Sequence, residues 1–211
     1  MTPFATEKLT EWSRNRAGMW PWGHLAVGYL LYSVVVHLWA RRRPGDVAAI
    51  ALAFGTQFPD LVDKPLAWRF DLIPNGRSLT HSLVTAALLV LFVQFVFRRL
   101  DRGAIATAFS IGYLSHLFAD ALYPALEGER EALLFLAWPL VPPVEYATEP
   151  IFAAQLRRLF EHGPSALFTS SVGFEIGLAA VVFLLWLVDG APGIGWLVSV
   201  PQWIHRKLSS H

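Results

Sequence analysis

Long apolar runs, broken by short polar stretches, set the elements of this chain. Residues 22 to 40, "WGHLAVGYLLYSVVVHLWA", carry no formal charge. At 1.5 Å per residue they span about 28 Å, close to the ~30 Å hydrocarbon core of a bilayer. Trp20 and Trp22 mark one end of this run and Trp39 the other, as interfacial aromatics do. Residues 47 to 59 are apolar but short. Residues 82 to 97 are uncharged and end in Arg98 and Arg99. Residues 103 to 122 form a fourth run, and residues 166 to 188 a fifth whose only charge is Glu175. The pattern predicts an all-α, multi-pass membrane helical bundle of about five membrane helices, with 47 to 59 as the least secure. The chain reads as one membrane-embedded domain over 1–211, with an interfacial tail after the last run. The alternative is a soluble bundle, since runs of 13 to 17 residues also occur as buried core helices. The first and fifth runs are too long to suit it.

Composition points the same way. Hydrophobic residues make up 55% of the chain and charged residues 16%, against about 25% charged in an ordinary soluble domain. The expected location is the cell membrane. A net charge of +1 gives no electrostatic case for a nucleic-acid partner. The absence of Cys excludes disulfides and thiolate metal sites. Residues 1 to 19 contain no apolar h-region, so no cleaved signal peptide is expected. Arg41 to Arg43 crowd one short loop and Arg98, Arg99 and Arg102 another. Both lie on one side if every run spans, and their density favours the cytoplasm, although Lys8, Arg14, Arg16, Lys64, Arg69 and Arg77 then fall on the other side.

Against this apolar background six ionisable residues stand out. His24 opens the first run. Asp60 and Asp63, in "FPDLVD", follow the second. His81, in "LTHS", opens the third, and His116 and Asp120, in "GYLSHLFAD", close the fourth. If the chain crosses once per run, all six lie at the same end of the helices, opposite the two arginine loops. Imidazole and carboxylate suit Zn²⁺ first, with Mn²⁺ or Fe²⁺ as alternatives. The i, i+4 spacing of His116 and Asp120 puts them on one helical face. One ion could take both, or two ions could share the set. Burying like-charged carboxylates is costly unless a cation holds them.

Each residue also has a plain structural reading. His116 could be interhelical hydrogen-bond glue and Asp120 a helix-end residue facing water. Asp60 could start a turn after Pro59, and Asp63 could cap the next piece. His81 could simply follow Thr80 at a helix end. Convergence favours the metal, because ionisable residues in membrane segments are rare and usually functional. His37 lies about 220° round the first helix from His24 and faces elsewhere. Glu175 suits interhelical glue as well as a ligand role. Glu145 and Glu149 read as a solvated pair, with either available as a late ligand or general base.

At these residues the chain resembles the membrane-bound metal-dependent hydrolase family, the YdjM-like proteins. The resemblance rests on "WGHLAVG", "PDLVD", "RSLTHS", "GYLSHLFAD" and the later "LAWPL", and covers about residues 20–142; residues 143–211 carry no matching motif. Ser78 stands where the family usually has Gly. The family is distantly similar to zinc-dependent phospholipase C and the P1-type nucleases. The resemblance implies a helical metal site with ligands His24, Asp60, Asp63, His81, His116 and Asp120, and phosphoester hydrolysis by a metal-activated water. Asp63 and Glu145 are the candidates for acting on that water. Arg77 or Lys64, in the loop beside the site, could hold phosphate. The expected partners are membrane lipid and a small-molecule or lipid phosphoester. The alternative is a non-enzymatic membrane protein that binds or transports metal, which requires polar residues to continue across the membrane.

Overall fold

The structure, a computed structural model, describes residues 19–143 and 170–198. Every regular element among them is helical, and they contain no strand. Helix α1 (Pro21–Val35) runs on through a π-helical turn, Val36–Ala40. Helix α2 spans Asp46–Trp68, α3 Leu83–Arg99, α4 Gly103–Leu126 and α5 Ser170–Val188. A 3-10 segment, Arg130–Ala137, follows α4.

Among the described residues two helices are long and apolar enough to cross a membrane, Pro21–Ala40 and Gly103–Leu126, where the apolar runs predict about five. The reasons differ from helix to helix. Helix α3 has 17 residues, about 26 Å of rise and short of the ~30 Å hydrocarbon core. Helix α2 reaches 23 residues only by running through Asp60, Asp63 and Lys64. The apolar part of α5, Val172–Val188, is also short. The surfaces are nevertheless those of a chain in lipid. Leu88, Leu91, Phe92 and Phe95 of α3 and Val181, Phe183 and Leu184 of α5 point outward, whereas Ser33, Thr56, Ser110 and Ser115 are buried between helices. Water would penalise so many exposed apolar side chains; hydrocarbon does not.

The second run predicts a helix that stops near Pro59. Instead α2 continues through Pro59 and Pro65 to Trp68, so Asp60 and Asp63 are helical residues and not turn residues. Each proline forfeits one i to i−4 hydrogen bond. The packing of α2 on α4 outweighs that local loss.

That packing is backbone against backbone. A methyl group on Gly55 would lie 2.4 Å from the Phe109 carbonyl oxygen, and one on Gly112 would lie 2.4 Å from the Leu52 carbonyl oxygen. Gly28 of α1 is closed in by the side chains of Thr56 and Ser115 in the same way. Small residues thus let three helices approach closely, which is the usual device where no hydrophobic force separates protein from solvent. Around the contact, Tyr29, Tyr32, Leu52, Ala108 and Val182 form one buried cluster, and Ala86, Phe109, Tyr113 and Leu117 another.

Helix α5 is tied to α1 by two carboxylates. Glu175 accepts from the Trp20 backbone N–H at 3.0 Å. Asp189, just past α5, accepts from Tyr29 Oη and Ser33 Oγ, each at 2.8 Å, and lies 3.3 Å from His37 Nε2. Glu175 is therefore helix glue here, and His37 serves this contact rather than the His24 end of α1.

The glycine contact gives a test. Gly112→Ala should cost about 1–3 kcal/mol by overpacking, read as a lower melting temperature in detergent. Gly177→Ala on α5, where nothing lies within 4 Å of the added methyl, should lose nothing. Equal behaviour of the two variants would mean that α2 and α4 can separate at little cost.

Candidate metal centre

Four pieces of chain bring the polar residues together: the start of α1, the second half of α2, the loop 69–82, and the second half of α4. The loop is pinned residue by residue. Thr80 Oγ1 lies 2.8 Å from Asp63 Oδ1 and 3.0 Å from the Pro59 carbonyl, its single O–H shared between the two acceptors. Tyr113 Oη donates to the Thr80 carbonyl at 2.5 Å. Ser82 caps α3, its hydroxyl accepting from Val84 N at 3.1 Å, and donates to the Trp138 carbonyl. In "LTHS", then, Thr80 ties the loop to α2, Ser82 ties it to α3 and to the "LAWPL" segment, and His81 is left facing inward.

The imidazoles meet through their Nε2 atoms. His81 Nε2 and His116 Nε2 are 3.1 Å apart. Asp60 Oδ1 is 3.6 Å from His81 Nε2 and 3.8 Å from His116 Nε2. Asp120 Oδ2 is 3.4 Å from His81 Nε2 and 3.6 Å from His116 Nε2, while Asp120 Oδ1 is 3.6 Å from His24 Nε2. The His24 ring stacks on His116 with centroids 3.9 Å apart. His24, His81 and His116 are fully buried, Asp120 nearly so, and Asp60 is partly open.

Among the described residues two groups have the geometry to hold a metal ion: His24, His116 and Asp120, and Asp60, His81 and His116. Ligand atoms about 2.0–2.2 Å from one ion lie roughly 3–3.5 Å from each other, and the separations above are near that range. The outer nitrogens are also arranged for it. His81 Nδ1 is 2.9 Å from Asp63 Oδ2, and His116 Nδ1 is 2.7 Å from the Thr56 carbonyl. A carbonyl only accepts, so His116 carries its proton on Nδ1, and its Nε2 lone pair faces the cluster. His116 belongs to both groups but has one free nitrogen, so it serves one ion at a time. His24 lacks such support, its buried Nδ1 having no hydrogen-bond partner.

The sequence pattern puts Asp63 among the ligands. Its carboxylate instead accepts from the backbone N–H groups of Ser78 and Thr80, the Thr80 hydroxyl and His81 Nδ1. Fully buried and so engaged, it orients His81 and is not available as a general base. Ser78, in the place of the expected Gly, supplies one of those backbone donors. The Thr56 carbonyl is a functional group that sequence reasoning misses, and no side-chain pattern could signal it. The two expected phosphate holders touch the carboxylates: Arg77 Nε is 3.4 Å from Asp120 Oδ2, and Lys64 Nζ is 2.7 Å from Asp60 Oδ2. Glu145 and Glu149 lie outside the described residues.

These features define an all-helical membrane protein whose buried imidazoles and carboxylates could hold a metal ion. Residues 19–194 match the YdjM inner membrane protein family, and the chain belongs to that family. No curated protein and no solved structure matches it significantly.

His81 carries a proton where the ion would sit. Burial favours its neutral ring, but hydrogen bonds to Asp120, Asp60 and Asp63 outweigh burial and raise its pKa from 6.5 to about 10. The proton keeps two lone pairs from facing each other across 3.1 Å. An ion must displace it, so between about pH 6.5 and 10 metal uptake should release about one proton, and affinity should rise with pH. Calorimetry in buffers of different ionisation enthalpy reads the release. In metal-free protein the raised pKa stabilises the fold fully below about 6.5, and that contribution is lost as pH climbs through about 10. Metal uptake without proton release would show that His81 is already neutral.

Proposed function

We propose that the protein is a multi-pass membrane hydrolase that uses a divalent metal, Zn²⁺ in the first instance, to cleave a phosphoester, with a lipid among the candidate substrates. The observation that carries this reading is the convergence of three imidazole Nε2 atoms on Asp60 and Asp120, with His81 and His116 oriented from behind by Asp63 and the Thr56 carbonyl. When bound, a divalent ion supplies Lewis acidity and acidifies water enough to make a nucleophile near neutral pH.

The chain's own residues have separable roles in this reading. His81, His116, Asp120 and Asp60 ligate, and His24 joins through Asp120. Asp60, the least buried of the set, marks the side from which substrate enters. Arg77 and Lys64 meet the phosphoryl oxygens. In this reading the centre lies at the end of the helices opposite the arginine-bearing turns, and the substrate meets it at the interface rather than at midplane.

A metal transporter is the second reading. The observation favouring it is a further buried polar cluster along α1, Asp189 with Tyr29, Ser33 and His37. Against it, Ala26, Tyr32, Leu52 and Ala108 fill the space around α1 between the two polar clusters, and a transporter needs a polar route.

Metal analysis followed by a phosphoesterase and phospholipase panel separates the readings. Wild type should hold metal and hydrolyse a phosphoester, and His116→Ala should lose both. His37→Ala should lose neither. Metal bound without hydrolysis, together with metal flux in proteoliposomes, would replace the hydrolase with the transporter.

A further inference from the structure

Each of the two candidate ligand carboxylates is shared between the imidazole cluster and a cation. Arg77, itself buried, sets Nε 3.4 Å from Asp120 Oδ2 and Nη2 3.4 Å from Asp120 Oδ1. Lys64 Nζ holds Asp60 Oδ2 at 2.7 Å, while Asp60 Oδ1 faces His81 and His116. These cations therefore compete with an incoming ion for the electrons of the same carboxylates.

The balance of charge around the centre governs the outcome of that competition. With the imidazoles as neutral ligands, the carboxylates of Asp60, Asp63 and Asp120 outnumber Arg77 and Lys64 by one. With a divalent ion bound and the imidazoles neutral, the same set of groups totals plus one. A buried excess of positive charge is unstable without a counter-anion. Arg77 and Lys64 are the groups nearest to hand, and their carboxylate partners now give electron density to the metal.

We propose that metal binding turns Arg77 and Lys64 into a receptor for a phosphoryl oxyanion, so that metal and phosphate bind with positive coupling. This rests on the metal-centre reading of the proposed function. The planar guanidinium fork suits two phosphoryl oxygens, and the ammonium acts as a point charge. Without the ion, the same anion would face Asp120 and Asp60 with both cations engaged. Lys64 and Asp60 are the more open members, with side chains 29% and 15% exposed, so the anion enters past Lys64 with Arg77 behind. A lipid headgroup and free phosphate offer the same oxygens.

The test is Mn²⁺ binding to the full chain in detergent, by equilibrium dialysis with and without inorganic phosphate. Phosphate should raise Mn²⁺ affinity roughly tenfold, and Mn²⁺ should raise phosphate affinity by the same factor, because coupling is reciprocal. In Arg77→Gln and Lys64→Gln the phosphate effect should shrink towards unity, while Mn²⁺ alone binds as well as before or better, its competitor being gone. Weaker Mn²⁺ binding with the phosphate effect intact would overturn the proposal, since it is what a purely structural cation would give. If Mn²⁺ binds wild type and phosphate changes nothing, the anion receptor is overturned and the metal centre stands. If Mn²⁺ does not bind, the metal centre itself falls and the receptor with it. Lys64→Gln, at the more open position, decides the matter should Arg77→Gln fail to fold. A short-chain phosphatidate that enhances Mn²⁺ binding more than inorganic phosphate does assigns the receptor to a lipid headgroup; equal enhancement assigns it to free phosphate.

Discussion

Helix α2 touches α4 with its backbone, and the cluster of imidazoles and carboxylates depends on that contact. Gly55 meets the Phe109 carbonyl and Gly112 meets the Leu52 carbonyl, so neither position leaves room for a Cβ between the helices. One turn further along, the same approach brings the Thr56 carbonyl to His116 Nδ1. Another turn on, it brings Asp60 within reach of His116 Nε2. A side chain at either glycine would separate the helices at the point where the site needs them together. Packing and chemistry are here one constraint, set by two missing Cβ atoms.

Closeness alone would be destabilising, because it concentrates carboxylates in a region with little water. The chain answers with several kinds of compensation. Asp63 is satisfied by backbone N–H groups and the Thr80 hydroxyl. Asp60 and Asp120 take Lys64 and Arg77. A proton on His81 stands among all three acids. Removing one partner from such a set costs more than the pair contributes, because the remaining charge is buried and uncompensated. The cluster is therefore held as a unit, which keeps the ligand atoms in place before any ion arrives.

Much of this is legible in the sequence for a simple reason. In a chain so poor in charge, each His and Asp inside an apolar run has to be explained, and the helical period places His116 and Asp120 on one face. The helices themselves follow from the same runs. The number of membrane spans does not, because run length cannot tell a short spanning helix from one that only packs. Nor does the course of α2: Pro59 argues locally for a stop, and only the tertiary contact with α4 overrides it. The separation of Asp60 from Asp63 is illegible for a related reason. Two acids three residues apart in "PDLVD" look alike until the loop 69–82 folds back and occupies one of them with its backbone.

The unequal burial of the ligands carries the last step. His24, His116 and Asp120 lie deep between the helices, whereas Asp60 and Lys64 stand at the open side. A centre built to store or pass an ion along α1 would gain from polar groups on its deep side, where instead Ala26, Tyr32, Leu52 and Ala108 close the core. A centre built to meet a substrate gains from the opposite arrangement: rigid ligands behind, one accessible carboxylate in front, and a cation beside it. The distribution of burial is thus uneven around the candidate centre, with Asp60 and Lys64 forming its open side.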